Sequence, residues 1–201
     1  MKQLEIAVVA CIREWCALRE IPTPVIAGGY ARNVAYGIAP SDVDLVIPMG
    51  PDNEDGAVFH ITEALAHELR VAFTMCRVDV AQAYGDSQGD FNERIYTLLQ
   101  IHGPNGEEVD VMFHREKTIR AVLRSHDCNL NQVCLLEGNL VWLYGEAPEY
   151  ARLLKPLHEL RVKRLREVAQ QCNVRIDEES FHKYAIVKRE IDPADLADHI
   201  P

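Results

Sequence analysis

The spacing of apolar residues divides the chain into segments that predict helices and segments that predict strands. Apolar positions recur every three or four residues in the predicted helices, which cover residues 4–18, 30–36, 58–69 and 116–123. Runs rich in Val, Ile, Phe, Tyr and Thr predict strands at residues 23–27, 43–47, 71–83, 94–102 and 139–144. From Pro148 to about Lys188 the spacing is again helical, interrupted at residues 173–180, where Asp177 or Ser180 is expected to cap the last helix.

Two turn signals refine this pattern. Pro104-Asn105-Gly106 separates two β-like runs and predicts a hairpin, because Asn-Gly supplies the positive φ angles of tight turns. Gly37 is expected to close the short helix over residues 30–36. A hairpin among helices and strands favours a mixed sheet over a purely parallel one. We therefore predict an α+β fold, with a mixed sheet flanked by helices over residues 1–145 and a small helical segment over 146–201.

The composition is that of a protein with a core of its own, since 48% of the 201 residues are apolar. No apolar stretch reaches the length of a membrane span and the N-terminus does not resemble a signal peptide, so we expect a cytoplasmic protein without membrane association. The six cysteines include no C-x-x-C pair and are expected to be reduced core thiols. No sequence feature indicates an oligomeric state.

Charge is distributed unevenly along the chain, whose formal net charge is −10. Residues 1–150 hold 11 Lys and Arg against 22 Asp and Glu, which argues against broad sequence-independent binding of nucleic acid. Residues 152–166 hold six basic residues and one Glu, so a local contact with a polyanion stays open beside the simpler interpretation as a solvated helix face.

Asp42 and Asp44 are the first candidates for chemistry. They lie two residues apart at the start of a predicted strand, so both carboxylates point to the same face, with Cα atoms roughly 6.5 Å apart. Two close carboxylates repel unless a cation lies between them. A hard divalent cation such as Mg²⁺ fits, because it takes oxygen ligands and keeps water positions for substrate phosphates.

A third carboxylate on a neighbouring strand would let two metal ions lie about 4 Å apart. Asp110 is the candidate, because it lies between Val109 and Val111 in a predicted strand. Asp79, which is likewise flanked by two valines, is a look-alike that the sequence alone does not exclude. A single Asp of this kind is usually an ion-paired or edge-strand residue, whereas three in this arrangement favour a metal site.

Gly28 and Gly29 follow a predicted strand and open a predicted helix. Glycine lets the backbone approach a phosphate closely, and a helix N-terminus offers free N–H groups to it. The sequence contains neither G-x-x-x-x-G-K-[ST] nor G-x-G-x-x-G, so ATPase and Rossmann interpretations lack their signatures.

The segment GGYARN…SDVDLVI resembles the Gly-Gly…Asp-x-Asp signature of the DNA polymerase beta-like nucleotidyltransferases, most of all the head of bacterial poly(A) polymerases and CCA-adding enzymes. The resemblance implies a nucleotidyltransferase-type fold in which Gly28 and Gly29 hold a triphosphate. It also implies that Asp42, Asp44 and Asp110 are catalytic and bind two Mg²⁺ or Mn²⁺ ions.

Two further blocks extend the resemblance to about residue 183. HDCNLNQVCLLEGNLVW is similar to the family's Arg-Arg-Asp-Phe-Thr-Ile-Asn block, with Asp127 and Asn131 in the matching places. ELRVKRLREVAQQCNVRIDEES is similar to the arginine-rich neck helix, in which Arg161 and Arg164 are the arginines to match. The resemblance implies that Arg32 contacts the triphosphate and that Asp127, Asn131 and Arg164 face the base or sugar.

The chain departs from the family pattern at two places. Arg32-Asn33 stands where the family usually has Arg-Asp, and Ser125-His126 stands where it has Arg-Arg before the Asp. In the family these positions contact or orient the nucleotide, so the resemblance implies no particular base. Because the chain ends soon after the neck-like block, we expect the short stand-alone, phage-type version, without the body and tail that hold tRNA in CCA-adding enzymes.

The implied function is metal-dependent transfer of a nucleoside monophosphate from an NTP to an acceptor hydroxyl, with release of pyrophosphate. The type of resemblance and the basic stretch favour an RNA or tRNA 3′ end as acceptor, while the short, acidic chain favours a small molecule or a protein hydroxyl. A non-catalytic nucleotide-binding protein of the same fold is the second hypothesis. A metal-dependent phosphohydrolase is the third, although it lacks the further metal-binding histidines that such sites use. His114 and His126 are expected to assist or to be ordinary structural histidines.

Overall fold

The computed structural model describes residues 1–40, 42–82 and 94–186. Its helices are α1 Gln3–Ala17, α2 Gly29–Ala35, α3 Asp55–Ala72, α4 Ile119–Arg124, α5 Glu159–Gln171 and α6 Glu178–Lys183. Its strands are β1 Val25–Ala27, β2 Val43–Pro48, β3 Arg77–Gln82, β4 Ile95–His102, β5 Glu108–His114, β6 Val133–Leu136, β7 Asn139–Trp142, β8 Tyr150–Ala151, β9 Leu157–His158, β10 Arg175–Ile176 and β11 Ala185–Ile186. Among the helices in these ranges, none is long and apolar enough to cross a lipid bilayer.

Seven of the strands form one mixed sheet in the order β3-β4-β5-β2-β1-β6-β7. The central pair β2–β5 is parallel, and the other neighbouring pairs are antiparallel. The predicted α+β fold with a mixed sheet is therefore confirmed. β4 and β5 form the predicted hairpin, and Gly106 in its turn has a φ of +72°.

The two faces of the sheet are covered differently. Val43, Leu45 and Ile47 of β2 belong to the main core, which α1 and α3 complete on one face. Because side chains alternate along a strand, Asp44 and Val46 point to the other face. There Val46 packs in a smaller apolar cluster that includes residues from α4. The sequence alternation thus buries one face fully and leaves polar positions on the opposite one.

Contacts divide the chain into two compact units, Met1–His126 with Asn131–Ala147, and Asp127–Leu130 with the chain from Pro148 onward. The sheet lies in the first unit. In the second, β8 pairs with β10 and β9 pairs with β11, both parallel, and Phe181 of α6 is buried. The domain boundary near residue 145 stays a prediction.

The prediction of helix from Pro148 is wrong for residues 148–158, which run through the short strands β8 and β9. Pro148 and Pro156 explain this, because proline lacks an N–H donor and disfavours helix in the residue before it. Asp177 caps α6 as expected, with Oδ1 accepting a hydrogen bond from the Ser180 N–H at 3.4 Å.

Two differences and one confirmed detail concern the sheet unit. The strand predicted over residues 71–83 begins only at Arg77, because α3 continues to Ala72. β6, which the sequence analysis leaves unassigned, is a run of four apolar residues, too short for periodicity to identify. Gly37 closes α2 as expected, with a φ of +67°.

Candidate active site

Asp44 and Asp110 lie side by side on the two central strands. β2 and β5 are parallel and in a register that pairs Asp44 with Asp110. Neighbouring strands lie about 4.8 Å apart, and paired residues point to the same face. Both side chains are half-buried. Asp42, just before β2, is close enough to Asp110 to influence its pKa. The strand register thus brings Asp44 and Asp110 to one part of one face, and Asp42 lies near them.

The look-alike Asp79 lies on the same face but farther away. β3 and β4 pair Asp79 with Gln100, and β4 and β5 pair Gln100 with Asp110. Asp79 is therefore two strands, about 9–10 Å, from Asp110 and three strands from Asp44. Its carboxylate is ion-paired with Arg77, with Nε 2.6 Å from Oδ2. Asp110, and not Asp79, neighbours Asp44.

The surroundings of Asp110 oppose its negative charge. Burial raises the pKa of the Asp110 carboxyl, and the negative charges of Glu108 and Asp42 raise it further. A hydrogen bond from Gln100 Nε2 to Asp110 Oδ1, at 3.3 Å, and the nearby His102 act in the opposite direction. A cation bound here would relieve the repulsion among these carboxylates.

The donor set fits a hard divalent cation in chemistry and in strand register, because all three candidates supply carboxylate oxygens from adjoining positions. The side chains themselves do not form a finished metal site. Within the described ranges, no group of three or more His, Cys, Asp or Glu side chains is arranged to hold a metal ion. The two-metal site of Asp42, Asp44 and Asp110 stays a prediction.

The glycine turn lies against Asp44. Gly28 has φ +66° and ψ −126°, a backbone conformation that L-residues rarely adopt. A Cβ atom at Gly28 would lie 3.4 Å from Cε1 of His126 and 4.0 Å from Oδ2 of Asp44. A Cβ atom at Gly29 would lie 3.7 Å from the same Asp44 oxygen and 3.8 Å from a terminal nitrogen of Arg32. The absence of side chains at the two glycines therefore leaves a gap between a carboxylate and two nitrogen-bearing side chains.

Arg32 is held by two amides. Its Nε and one terminal nitrogen donate to Oδ1 of Asn33 at 3.0 and 2.7 Å, and the other terminal nitrogen donates to Oδ1 of Asn131 at 2.6 Å. Asn131 is only 5% exposed. The structure thus brings together two residues that the sequence analysis links only by resemblance. Asn33 offers an oxygen to Arg32, but without the negative charge that an Asp at this position would carry.

Three basic side chains, Arg94, His114 and His126, lie near one another. Arg94 donates a hydrogen bond to the Ser125 carbonyl, and His114 Nδ1 accepts one from the Glu116 N–H at 3.1 Å. Burial, together with the nearby His126 and Arg94, lowers the pKa of His114 to about 4. His114 is therefore neutral at pH 7 and supplies no positive charge to a phosphate, whereas His126 lies at the glycine turn itself.

The remaining predicted residues belong to the second unit. Asp127 accepts a hydrogen bond from Arg161, with Nε 2.7 Å from Oδ2, and its side chain is 14% exposed. The carboxylate that the resemblance assigns to the base or sugar is thus paired with a neck arginine. Arg164 is exposed on α5 and makes no ion pair with any residue in the described ranges. A nucleotide contact from Asp127 or Arg164 stays a prediction.

One polar residue at this site, Gln100, is not identified by any sequence motif. The sequence does show an alternation over residues 98–102. Leu99 and Ile101 enter the core, whereas Leu98, Gln100 and His102 lie on the other face of the strand. The alternation predicts the face. It does not predict that Asp110 lies opposite, because that depends on the hairpin register.

No protein-family model and no curated protein matches this chain. Several solved structures share its fold at low sequence identity. A tRNA-processing enzyme in apo form I is 17% identical over 90% of this chain and 45% of its own, with a TM-score of 0.56. A CCA-adding enzyme in complex with ATP is 15% identical over 89% of this chain and 40% of its own, with a TM-score of 0.58. A tRNA nucleotidyltransferase complexed with a primer tRNA and an incoming ATP analogue is 16% identical over 86% of this chain and 49% of its own, with a TM-score of 0.55.

These likenesses establish the fold. The sheet and helices of this chain are those of a nucleotidyltransferase-type fold, as the resemblance implies. The chain spans less than half the length of each of these three proteins.

Proposed function

We propose that this protein is a metal-dependent nucleotidyltransferase that moves a nucleoside monophosphate from an NTP to an acceptor hydroxyl. In this reaction the acceptor oxygen bonds to the α-phosphorus and the bond from that phosphorus to the β-phosphate bridge breaks. Pyrophosphate leaves, and the hydroxyl proton passes to a carboxylate or to solvent. We infer an RNA 3′ end as the acceptor.

One observation carries the proposal. Asp44 is paired in register with Asp110 on one side, and its Oδ2 lies about a van der Waals contact from the side-chain-free space at Gly28 and Gly29 on the other. Phosphoryl transfer needs a place for phosphates beside a place for cations, because catalysis is mostly positioning and charge stabilisation. The fold shared with structures that contain ATP, CTP or an ATP analogue supports an NTP as the donor.

The candidate residues would have separate roles in the reaction. Asp42, Asp44 and Asp110 would hold Mg²⁺ or Mn²⁺, which when bound neutralises phosphate charge and polarises the reacting oxygens. Asp110, whose pKa is raised by burial, would also accept the proton of the acceptor hydroxyl. Gly28 and Gly29 would let the triphosphate approach the backbone, and Arg32 would contact it from a guanidinium fixed by Asn131.

The RNA acceptor is supported by the basic segment 152–166 and by the primer tRNA bound to one protein of the same fold. Ion pairs within the second unit occupy Arg152, Arg161 and Arg166. Lys163 and Arg164 are exposed and make no ion pair among the described residues, so they are the ones we assign to RNA phosphates.

The test is pyrophosphate release with each of the four NTPs, with Mg²⁺ or Mn²⁺, and with or without bulk tRNA. We compare the wild type with Asp44→Asn and with the matched control Asp79→Asn, which changes an Asp on the same face three strands away. We expect release that requires RNA, prefers particular NTPs, is lost in Asp44→Asn and is retained in Asp79→Asn. RNA-independent release would point to a small molecule or a protein as acceptor.

A second candidate function is binding of nucleotide without turnover. It is favoured by the unfinished metal site and by the neutral Asn33 beside Arg32. Metal-dependent binding of an NTP by the wild type, with no pyrophosphate released in any combination, would select this function over transfer.

A further inference from the structure

We propose that Gln100 is a positioning residue for nucleotidyl transfer, which fixes the orientation of the Asp110 carboxylate beside Asp44. This inference rests on the proposed function and extends it to a residue that the sequence pattern does not reveal.

The strand register places Gln100 on the far side of Asp110 from Asp44. Gln100 pairs with Asp110 across β4–β5, and Asp110 pairs with Asp44 across β5–β2. The Gln100 amide donates to Asp110 Oδ1 at 3.3 Å. The terminal torsion of an aspartate is only broadly restricted, so a hydrogen bond from a fixed neighbour is what sets its rotation. With Oδ1 engaged, Oδ2 is the oxygen left for a cation or for the proton of an acceptor.

Gln100 is uncharged, and this matters for metal binding as much as its hydrogen bond to Asp110 does. A Lys or Arg at this position would pair with Asp110 and cancel the charge that a cation needs. Two other polar pairs lie on this face: Arg77 is ion-paired with Asp79 at 2.6 Å, and His102 Nδ1 lies 3.2 Å from a Glu108 carboxylate oxygen. Gln100 therefore gives Asp110 a donor that orients the carboxylate without neutralising it.

The simpler interpretation is an ordinary cross-strand pair that contributes only to folding. Such pairs stabilise a sheet modestly, and their loss changes stability without changing metal affinity or catalysis. The two interpretations differ in metal affinity, because loss of a hydrogen-bond partner of a metal ligand typically costs about 10- to 100-fold in metal affinity or activity.

The experiment measures Mn²⁺ binding by electron paramagnetic resonance, with a non-hydrolysable NTP analogue present, and separately the kcat and KM of pyrophosphate release. Gln100→Met removes the amide at similar length. Leu98→Met is the matched control, because Leu98 lies on the same strand and face but pairs with Met112. Gln100→Lys keeps a donor while adding a positive charge, so it tests the charge argument in a variant that retains a polar pair.

We expect Gln100→Met to weaken Mn²⁺ binding and lower kcat by about 10-fold or more, with the KM for NTP within about twofold of the wild type. Gln100→Lys should also weaken Mn²⁺ binding, and Leu98→Met should bind as the wild type does. If Gln100→Met and Gln100→Lys match Leu98→Met in Mn²⁺ affinity, Gln100 is a structural pair and the inference is overturned, whether or not the wild type turns over. A wild type that neither binds Mn²⁺ nor releases pyrophosphate would overturn the proposed function and this inference together.

Discussion

His114 gives the stability of this fold a defined dependence on pH. It is the last residue of β5, the strand that carries Asp110, and it is 5% exposed. Burial is the largest cause of its low pKa, and electrostatic interactions with His126 and Arg94 lower the pKa further. The imidazole is therefore neutral in the folded protein, with Nδ1 accepting the hydrogen bond from Glu116.

The size of the effect follows from the two pKa values of His114, which are 6.5 for the ordinary side chain and about 4 in the folded protein. Between these pH values His114 binds a proton in the unfolded chain but not in the folded chain. The free energy of unfolding therefore falls as the pH falls. Each pH unit in that window costs about 1.4 kcal/mol, so acidification from pH 7.5 to pH 4.5 removes roughly 2.5 kcal/mol of the free energy of unfolding through this one residue.

The perturbation is His114→Asn, because the Asn Oδ1 can accept from Glu116 but does not titrate. The free energy of unfolding is measured by urea denaturation at pH 7.5 and pH 4.5. We expect the loss on acidification to be smaller in His114→Asn than in the wild type by roughly 2.5 kcal/mol. Val111→Ala, at a fully buried position of the same strand, controls for destabilisation alone and should retain the wild-type loss. Equal losses in His114→Asn and the wild type would refute the argument that burial keeps His114 neutral.

Three further predictions concern the glycine turn, Asp110 and the second unit. Gly28→Ala should lower the free energy of unfolding by about 1–3 kcal/mol, because alanine does not tolerate φ +66° and ψ −126°. Gly56→Ala, in the first turn of α3 with open space at its Cβ position, should not lower it. Equal effects of the two substitutions in urea denaturation would contradict this. Asp110→Asn should raise the free energy of unfolding of the metal-free protein at pH 7, because the raised pKa of Asp110 means that its ionisation opposes folding. This gain in stability should shrink as the pH is lowered. A variant that is less stable than the wild type at pH 7 would contradict the prediction. Arg161→Met and Asp127→Asn should each lower stability, and a double-mutant cycle should give a coupling of about 0.5–3 kcal/mol; additive losses would mean that the 2.7 Å pair contributes nothing.

The sequence predicts those parts of the fold in which local pattern and tertiary structure agree. α1 and the β4–β5 hairpin follow from periodicity and from the Asn105-Gly106 turn, because these signals depend only on neighbouring residues. β8 and β9 could not be predicted in this way. Each is two residues long and exists through pairing with β10 or β11, more than 20 residues away along the chain. A short segment that is extended only because of a distant partner has no local pattern of its own.

The candidate site shows the same limit in the choice between Asp79 and Asp110. Both occur as Val-Asp-Val in strand-like runs, so local pattern assigns each to a strand and to one face and cannot distinguish them. The distinction lies in strand order: β5 pairs with β2 in parallel, while β3 lies beyond β4 at the edge. A hairpin turn predicts that β4 and β5 are neighbours, but no local signal predicts which of the two lies against β2. The same order places Gln100 against Asp110 and gives it a neighbour that its sequence position does not reveal. Residue type and alternation therefore identify the carboxylates, and only the long-range parallel pairing decides which of them can act together.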